Sequence, residues 1–109
     1  MAEFITVKEA AELIPDQAVI GSAVQGMTGW PEEIGIAIEK RFLETGHPSS
    51  ITHIHGAGQG DFGRMSPDGK TCRGECVLAH DGLLACSIHG HVGCSFKVTQ
   101  QIAENKILA

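Results

Sequence analysis

Apolar residues along the chain alternate between helical spacing and short continuous runs. Thr6-Val-Lys-Glu9 has the form of a capping box, with Thr6 at the N-cap and Glu9 at N3. It predicts a short helix that turns Ala10, Leu13 and Ile14 inward and stops before Pro15. Asp16-Gln17 makes a turn, and the mostly apolar run from Ala18 to Val24 predicts a strand buried on both faces. A loop bearing Gly26 and Gly29 leads to Pro31, which suits a first helical position because its missing N–H has no intrahelical partner there. The helix predicted from Pro31 to about Thr45 carries Ile34, Ala37, Ile38, Arg41 and Phe42 at i, i+3, i+4 spacing. Gly46 suits the C′ position and Pro48 prevents resumption.

Ile51 to His55 predicts a second strand, followed by a glycine-rich stretch from Gly56 to Lys70 in which Met65-Ser-Pro-Asp-Gly69 is turn chemistry. Cys72 to His80 suits a short helix ended by Asp81-Gly82. Leu84 to Ile88 is a third strand, and His89 to Gly93 a further glycine-bearing turn. Ser95 to Asn105 has rough helical spacing in Phe96, Val98, Thr99, Ile102 and Ala103. Strands alternating with helices imply an α/β fold with a mainly parallel sheet and flanking helices. After the last helix, Ile107-Leu-Ala109 begins another apolar run, so residues 1–109 are expected to be a partial domain, incomplete at the C-terminus.

Composition narrows the function. With 13 acidic against 8 basic residues the chain carries a formal charge of -5, which argues against nucleic acid as a partner. No apolar run approaches a membrane span, and the first residues lack a basic and then apolar leader, so a cytoplasmic location is expected. In that compartment Cys72, Cys76, Cys86 and Cys94 are expected as free thiols.

The candidate chemistry lies in the loops that follow the strands. Gly26-Met27-Thr28-Gly29 precedes a helix N-terminus, where free N–H groups and the helix dipole favour an anion or a carbonyl oxygen. It is neither a phosphate-binding loop with Gly-Lys-Ser/Thr nor a GxGxxG turn; a plain tight turn is the alternative. Gly56 to Asp61 follows the second strand, with Gln59 as a donor and Asp61 as an acceptor. His89 to Gly93 follows the third. Three such loops at the carboxyl ends of parallel strands would form a crevice.

His53, His55, Cys72, Cys76, Cys86, His89, His91 and Cys94 also suggest a metal. Cys72 and Cys76 have a usable spacing, but Cys86 and Cys94 lie eight apart and form no matching pair. His53 and His55 share one face of a strand and serve equally as core or rim histidines. No metal is expected, although a small thiol or metal protein using Cys72 and Cys76 stays as an alternative, and a cysteine nucleophile with a histidine base is not located by any spacing.

At Arg41-Phe-Leu-Glu-Thr-Gly-His-Pro48 and Gly56-Ala-Gly-Gln-Gly-Asp61 the sequence resembles family I CoA-transferases of the acetate/3-ketoacid and propionate type, which share the NagB/RpiA/CoA-transferase fold. Ala79-His-Asp-Gly-Leu83, Gly90-His-Val-Gly93 and Glu104-Asn-Lys-Ile107 extend the likeness, so that it runs from Phe4 to Ile107. The resemblance implies an N-terminal part of an enzyme that moves CoA from an acyl-CoA to a short-chain carboxylic acid through a glutamyl-CoA intermediate. The CoA thioester is then substrate, and no cofactor is bound. By position, Gly26, Met27, Thr28 and Gly29 would form the oxyanion and acyl pocket, with Gln59, Gly60 and His91 as neighbours. The chain departs from the family at Val24, Gln25 and Met27, where more glycine is usual and the Met27 side chain would narrow the pocket. It departs again from Phe62 to Gly74, which differs from the family's shorter connection. The family's nucleophilic glutamate lies in a C-terminal half. None of Glu32, Glu33, Glu39, Glu44 and Glu75 matches it, so no catalytic residue is expected in this chain and no turnover from it alone. The resemblance also implies a homo-oligomer. The alternative is a non-catalytic remnant or split-protein piece that binds a protein partner through an unfinished sheet edge.

Overall fold

A computed structural model of the chain describes residues 1–23, 28–60 and 72–109. The elements run α1 (Val7–Glu12), β1 (Val19–Ser22), α2 (Glu32–Thr45), β2 (Ile51–Ala57), a 3₁₀ helix (Gly74–Leu78), β3 (Leu84–His91) and α3 (Phe96–Ala103). This is the α/β class read from the sequence, with a parallel three-stranded sheet in the order β1-β2-β3. Leu108 makes a parallel bridge to Cys86, donating to Ala85 O (2.9 Å) and accepting from Ser87 N (2.8 Å), so the last residues do run alongside β3.

Local signals were obeyed where they depend only on neighbours. Thr6 Oγ1 accepts from Glu9 N (3.2 Å), and Thr6 N donates to Glu9 Oε2 (2.7 Å), completing the capping box. Gly46 closes α2 at φ 76°, donating to Phe42 O. Pro31 stands at the N-cap, one place earlier than predicted. β2 and β3 run longer than predicted. The ladder continues through Ala57 opposite His91, so His91 ends a strand where the sequence suggests a turn.

Inward faces needed the tertiary fold. In α1 the buried residue is Ala11, while Leu13 is 73% exposed; Arg41 of α2 donates to Ala11 O (2.8 Å) and Ile14 O (2.7 Å), so a long side chain covers the end of α1. In α2 Ile38 is buried as expected, but Ile34 is exposed and Gly35 takes the inner place beneath the Trp30 ring. In α3 Val98 and Gln101 are buried, whereas Phe96 is exposed. The core gathers Ala11, Ile38, Ile51, Val77, Leu78, Leu83, Leu84, Val98 and Ile107.

One face of the sheet is bare. β1 is not buried on both faces: Val19 is 66% exposed, and Ile54 and Ile88, paired in register, are 41% and 52% exposed. The reason is topological. Strands added in one direction, each through a right-handed crossover, put every connection on the same side. That side bears Ile51, His53, His55, Leu84 and Ser87, all buried.

Candidate functional site at the strand ends

Ser22, Ala57 and His91 end the three strands, and the loops beyond them touch. Gly58 N donates to His91 O (2.7 Å), and Gln59 O accepts from Glu75 N (3.0 Å). A side chain at Gly58 would meet Ser95 Oγ at 2.9 Å, so the loops after β2 and β3 pack as closely as backbone allows. Trp30, just before α2, brings the first loop in, with its ring edge-on to His53 at 5.8 Å between centroids.

Of the residues the sequence singled out, Gly26 and Met27 lie outside the described residues, as do Val24, Gln25 and Asp61. Thr28 is exposed and Gly29 takes φ 80°. Gln59 and Gly60 are buried in the loop after β2, and His91 ends β3 with its carbonyl accepting from Gly58 N. Gln59 is 1% exposed. Its Nε2 donates to Ser22 O (3.3 Å) and its Oε1 accepts from Ser22 Oγ (2.5 Å), so the amide ties the second loop to the end of β1. His91 is exposed, with Cys94 Sγ 3.9 Å from its Nε2. The α2 N-terminus carries Glu32 and Glu33 in its first turn, and the Glu32 carboxylate accepts from Gly74 N (3.2 Å). Those charges already occupy the positive end of the helix dipole and disfavour a second anion there.

Beneath the strand ends lies a buried polar cluster that the sequence reading did not assemble. His53 and His55 of β2 stack at 4.5 Å between centroids and face Glu75 of the 3₁₀ helix. Glu75 Oε2 is 3.4 Å from His53 Nδ1 and 3.3 Å from His55 Nε2, and all three side chains are at least 97% buried. Ser95 Oγ donates to Glu75 Oε1. Burial pushes the Glu75 carboxyl up, but its contacts with His53, Ser95 and the two imidazoles outweigh that and hold it below the usual glutamate range. Burial pushes His55 down, toward the neutral imidazole. One signal was visible in sequence, the i, i+2 histidines on one strand face. Glu75 carried none.

Cys72 and Cys76 are buried, and burial raises the Cys76 thiol to about 11, which makes it a poor nucleophile. Glu39 is buried with His80 Nε2 at 2.7 Å, and Glu33 and Glu44 are exposed. A hollow of about 700 Å³ between α1 and α2, lined by Lys8, Glu12, Lys40 and Glu44 among others, includes no residue of the strand-end cluster. Among the described residues no helix is long and apolar enough to cross a membrane.

No protein-family model matches the chain. It is 38% identical over 107 residues to the caffeate CoA-transferase of Acetobacterium woodii, and 29% identical over 108 residues to the acetate CoA-transferase YdiF of Escherichia coli K12. These alignments cover 98% and 96% of this chain, but only 19% and 18% of those enzymes. In structure it matches the acyl-CoA transferase YdiF of E. coli O157:H7, solved both as a thioester complex with CoA and as the apoenzyme. Each has a TM-score of 0.77 and 26% identity, over 94% of this chain and 19% of the enzyme. The likeness to CoA-transferases read from the sequence therefore holds over nearly the whole chain, in residues and in backbone, along a stretch equal to about a fifth of those enzymes.

Proposed function

We propose that this chain is part of the N-terminal domain of an enzyme that transfers CoA from an acyl-CoA to a short-chain carboxylic acid. The observation that supports this best is the shared backbone with an acyl-CoA transferase over 94% of the chain. In this reading a glutamate carboxylate attacks the thioester carbonyl and expels CoA thiolate, leaving an acyl-glutamyl anhydride. The thiolate then attacks the glutamyl carbonyl, releasing the first acid and forming glutamyl-CoA; an acceptor carboxylate reverses both steps. The nucleophile lies outside this chain. Gly26, Met27, Thr28 and Gly29 offer backbone N–H groups to the oxyanion, where losing one such donor typically costs about 3 kcal/mol in barrier. Gln59 and Gly60 shape the loop beside it, and His91 stands at the neighbouring strand end.

The bare sheet face supports a second element of this reading. Parallel sheets are normally covered on both faces, so the face bearing Val19, Ile54 and Ile88 is proposed to meet further polypeptide, from the rest of the enzyme or from a partner subunit. The test compares the whole protein with the 109-residue segment, using acetyl-CoA and a series of acceptor acids. Transfer is expected from the whole protein alone. Sustained transfer by the segment would remove the missing-nucleophile reading, and no transfer by the whole protein with any acid would remove the enzyme reading. In the latter case a stable complex in light scattering would favour the non-catalytic, partner-binding alternative.

A further inference from the structure

With both imidazoles neutral, the hydrogen bonds around the buried cluster assign its protons. Ser22 O is a carbonyl and can only accept, so the Gln59 nitrogen faces it and Gln59 Oε1 faces Ser22 Oγ. The Ser22 proton therefore goes to Gln59, and Ser22 Oγ accepts from His53 Nε2 at 2.6 Å. As a neutral imidazole His53 then carries its proton on Nε2 and a lone pair on Nδ1. His55 Nδ1 donates to Ala57 O (2.9 Å), so its lone pair is on Nε2. Both lone pairs point to the region of Glu75 Oε2, at 3.4 and 3.3 Å. That oxygen has no hydrogen bond among the described residues, although Glu75 is 1% exposed. Ser87 Oγ, 3.2 Å from His55 Nε2, has a single proton and is also 3.0 Å from His89 Nδ1.

Three electron-pair donors facing one another in a dry interior repel unless a positive charge lies between them. We propose that His53 Nδ1, His55 Nε2 and Glu75 Oε2 hold a divalent transition-metal ion of the zinc type, which fastens β2 to the 3₁₀ helix. The three ligand atoms all lie within 4.8 Å of one another. A tetrahedral ion with bonds of ~2.05 Å separates neighbouring ligand atoms by about 3.3 Å, close to the two spacings at Glu75. Two imidazoles and a carboxylate are zinc-type donors, and the outer partners Ser22 and Ala57 orient the rings as partners of metal-bound histidines do. The ligands join two of the histidines named in the sequence to a glutamate that no spacing rule includes, and they leave the four cysteines out. This site is independent of the CoA-transfer reading and uses none of the residues assigned to it except Gln59, which acts at one remove.

The test uses the protein containing this chain, purified without added metal, stripped with chelator and titrated with Zn²⁺ and Co²⁺. One equivalent per chain is expected, with the visible absorption of tetrahedral Co²⁺ and without strong thiolate-to-metal charge transfer. Glu75→Gln and His55→Gln are expected to weaken binding by roughly 100-fold or more, beyond the ~10–100-fold typical of losing an outer partner, which is the loss expected for Ser22→Ala. The double variant Cys72→Ser, Cys76→Ser should bind as before. Should the ligand variants fail to fold, long-range ¹H–¹⁵N spectra of the unmodified protein with Zn²⁺ decide, because His53 should keep only its Nε2 proton and His55 only its Nδ1 proton. No stoichiometric binding by the unmodified protein, thiolate charge transfer, or a doubly protonated His53 or His55 paired with Glu75 would each overturn the proposal.

Discussion

Gly60 and Gly74 lie back to back: a side-chain carbon on Gly60 would come within 2.3 Å of Gly74 Cα. Gly60 also holds φ 85°, a conformation that costs an L-residue energy even in open space. The contact closes the base of the segment between β2 and the 3₁₀ helix. Gly60→Ala is therefore expected to destabilise the protein by about 2–4 kcal/mol, through backbone displacement added to left-handed strain. Urea unfolding measures it. A change under half a kcal/mol would mean that the two backbones are not in contact.

The thiols should divide by burial. Cys72 and Cys76 are enclosed, and Cys76 stays protonated well above neutral pH, whereas Cys86 and Cys94 are partly exposed. Iodoacetamide at mildly alkaline pH is expected to label Cys86 and Cys94 in the folded 109-residue segment, and to reach Cys72 and Cys76 only on unfolding. Peptide mass mapping against time reads the order; early labelling of Cys76 would contradict the packing of the 3₁₀ helix.

Asp16 links the turn before β1 to the segment before β2. Its carboxylate faces His47 Nδ1 at 3.0 Å and accepts from Ser49 N at 2.8 Å, and these contacts, the His47 one first, hold its carboxyl below the usual aspartate range. A carboxyl depressed in the folded state contributes stability that is present above its ordinary value of about 3.9 and is lost as pH falls through the depressed value. Asp16→Asn should thus lower the unfolding midpoint at neutral pH, and the difference from the unmodified protein should shrink on acidification below about pH 4. A difference independent of pH would place the effect in packing instead.

Ile88 tests the bare sheet face. It is 52% exposed and pairs in register with Ile54, itself 41% exposed. If further polypeptide covers this face, Ile88→Asp is expected to cost about 2 kcal/mol or more in the whole protein, as a buried apolar site made charged, but to leave the 109-residue segment within about half a kcal/mol. Equal small effects in both would mean that the face meets solvent throughout.

Much of the fold was legible because it is set by neighbours in the chain. The Thr6–Glu9 box, the Gly46 stop and the alternation of strand and helix follow from capping, backbone freedom and apolar period, none of which needs a distant partner. The resemblance to CoA-transferases was legible for the same reason, through short stretches such as Gly56 to Asp61. Inward faces were less so. Leu13 reads as a core residue by spacing, yet Ala11 is buried because α2 crosses α1 there and Arg41 covers the end.

The sequence by itself determined which elements form, their order and the class of fold, since these depend on propensities and periods within a few residues. Only the tertiary structure decided which sheet face lies bare, because winding direction puts all the connections on one side. It alone brought Glu75 against His53 and His55. Nothing in a residue's own neighbourhood says that a 3₁₀ helix far along the chain will close over a strand, and the charge it buries there has meaning only through the two imidazoles it meets.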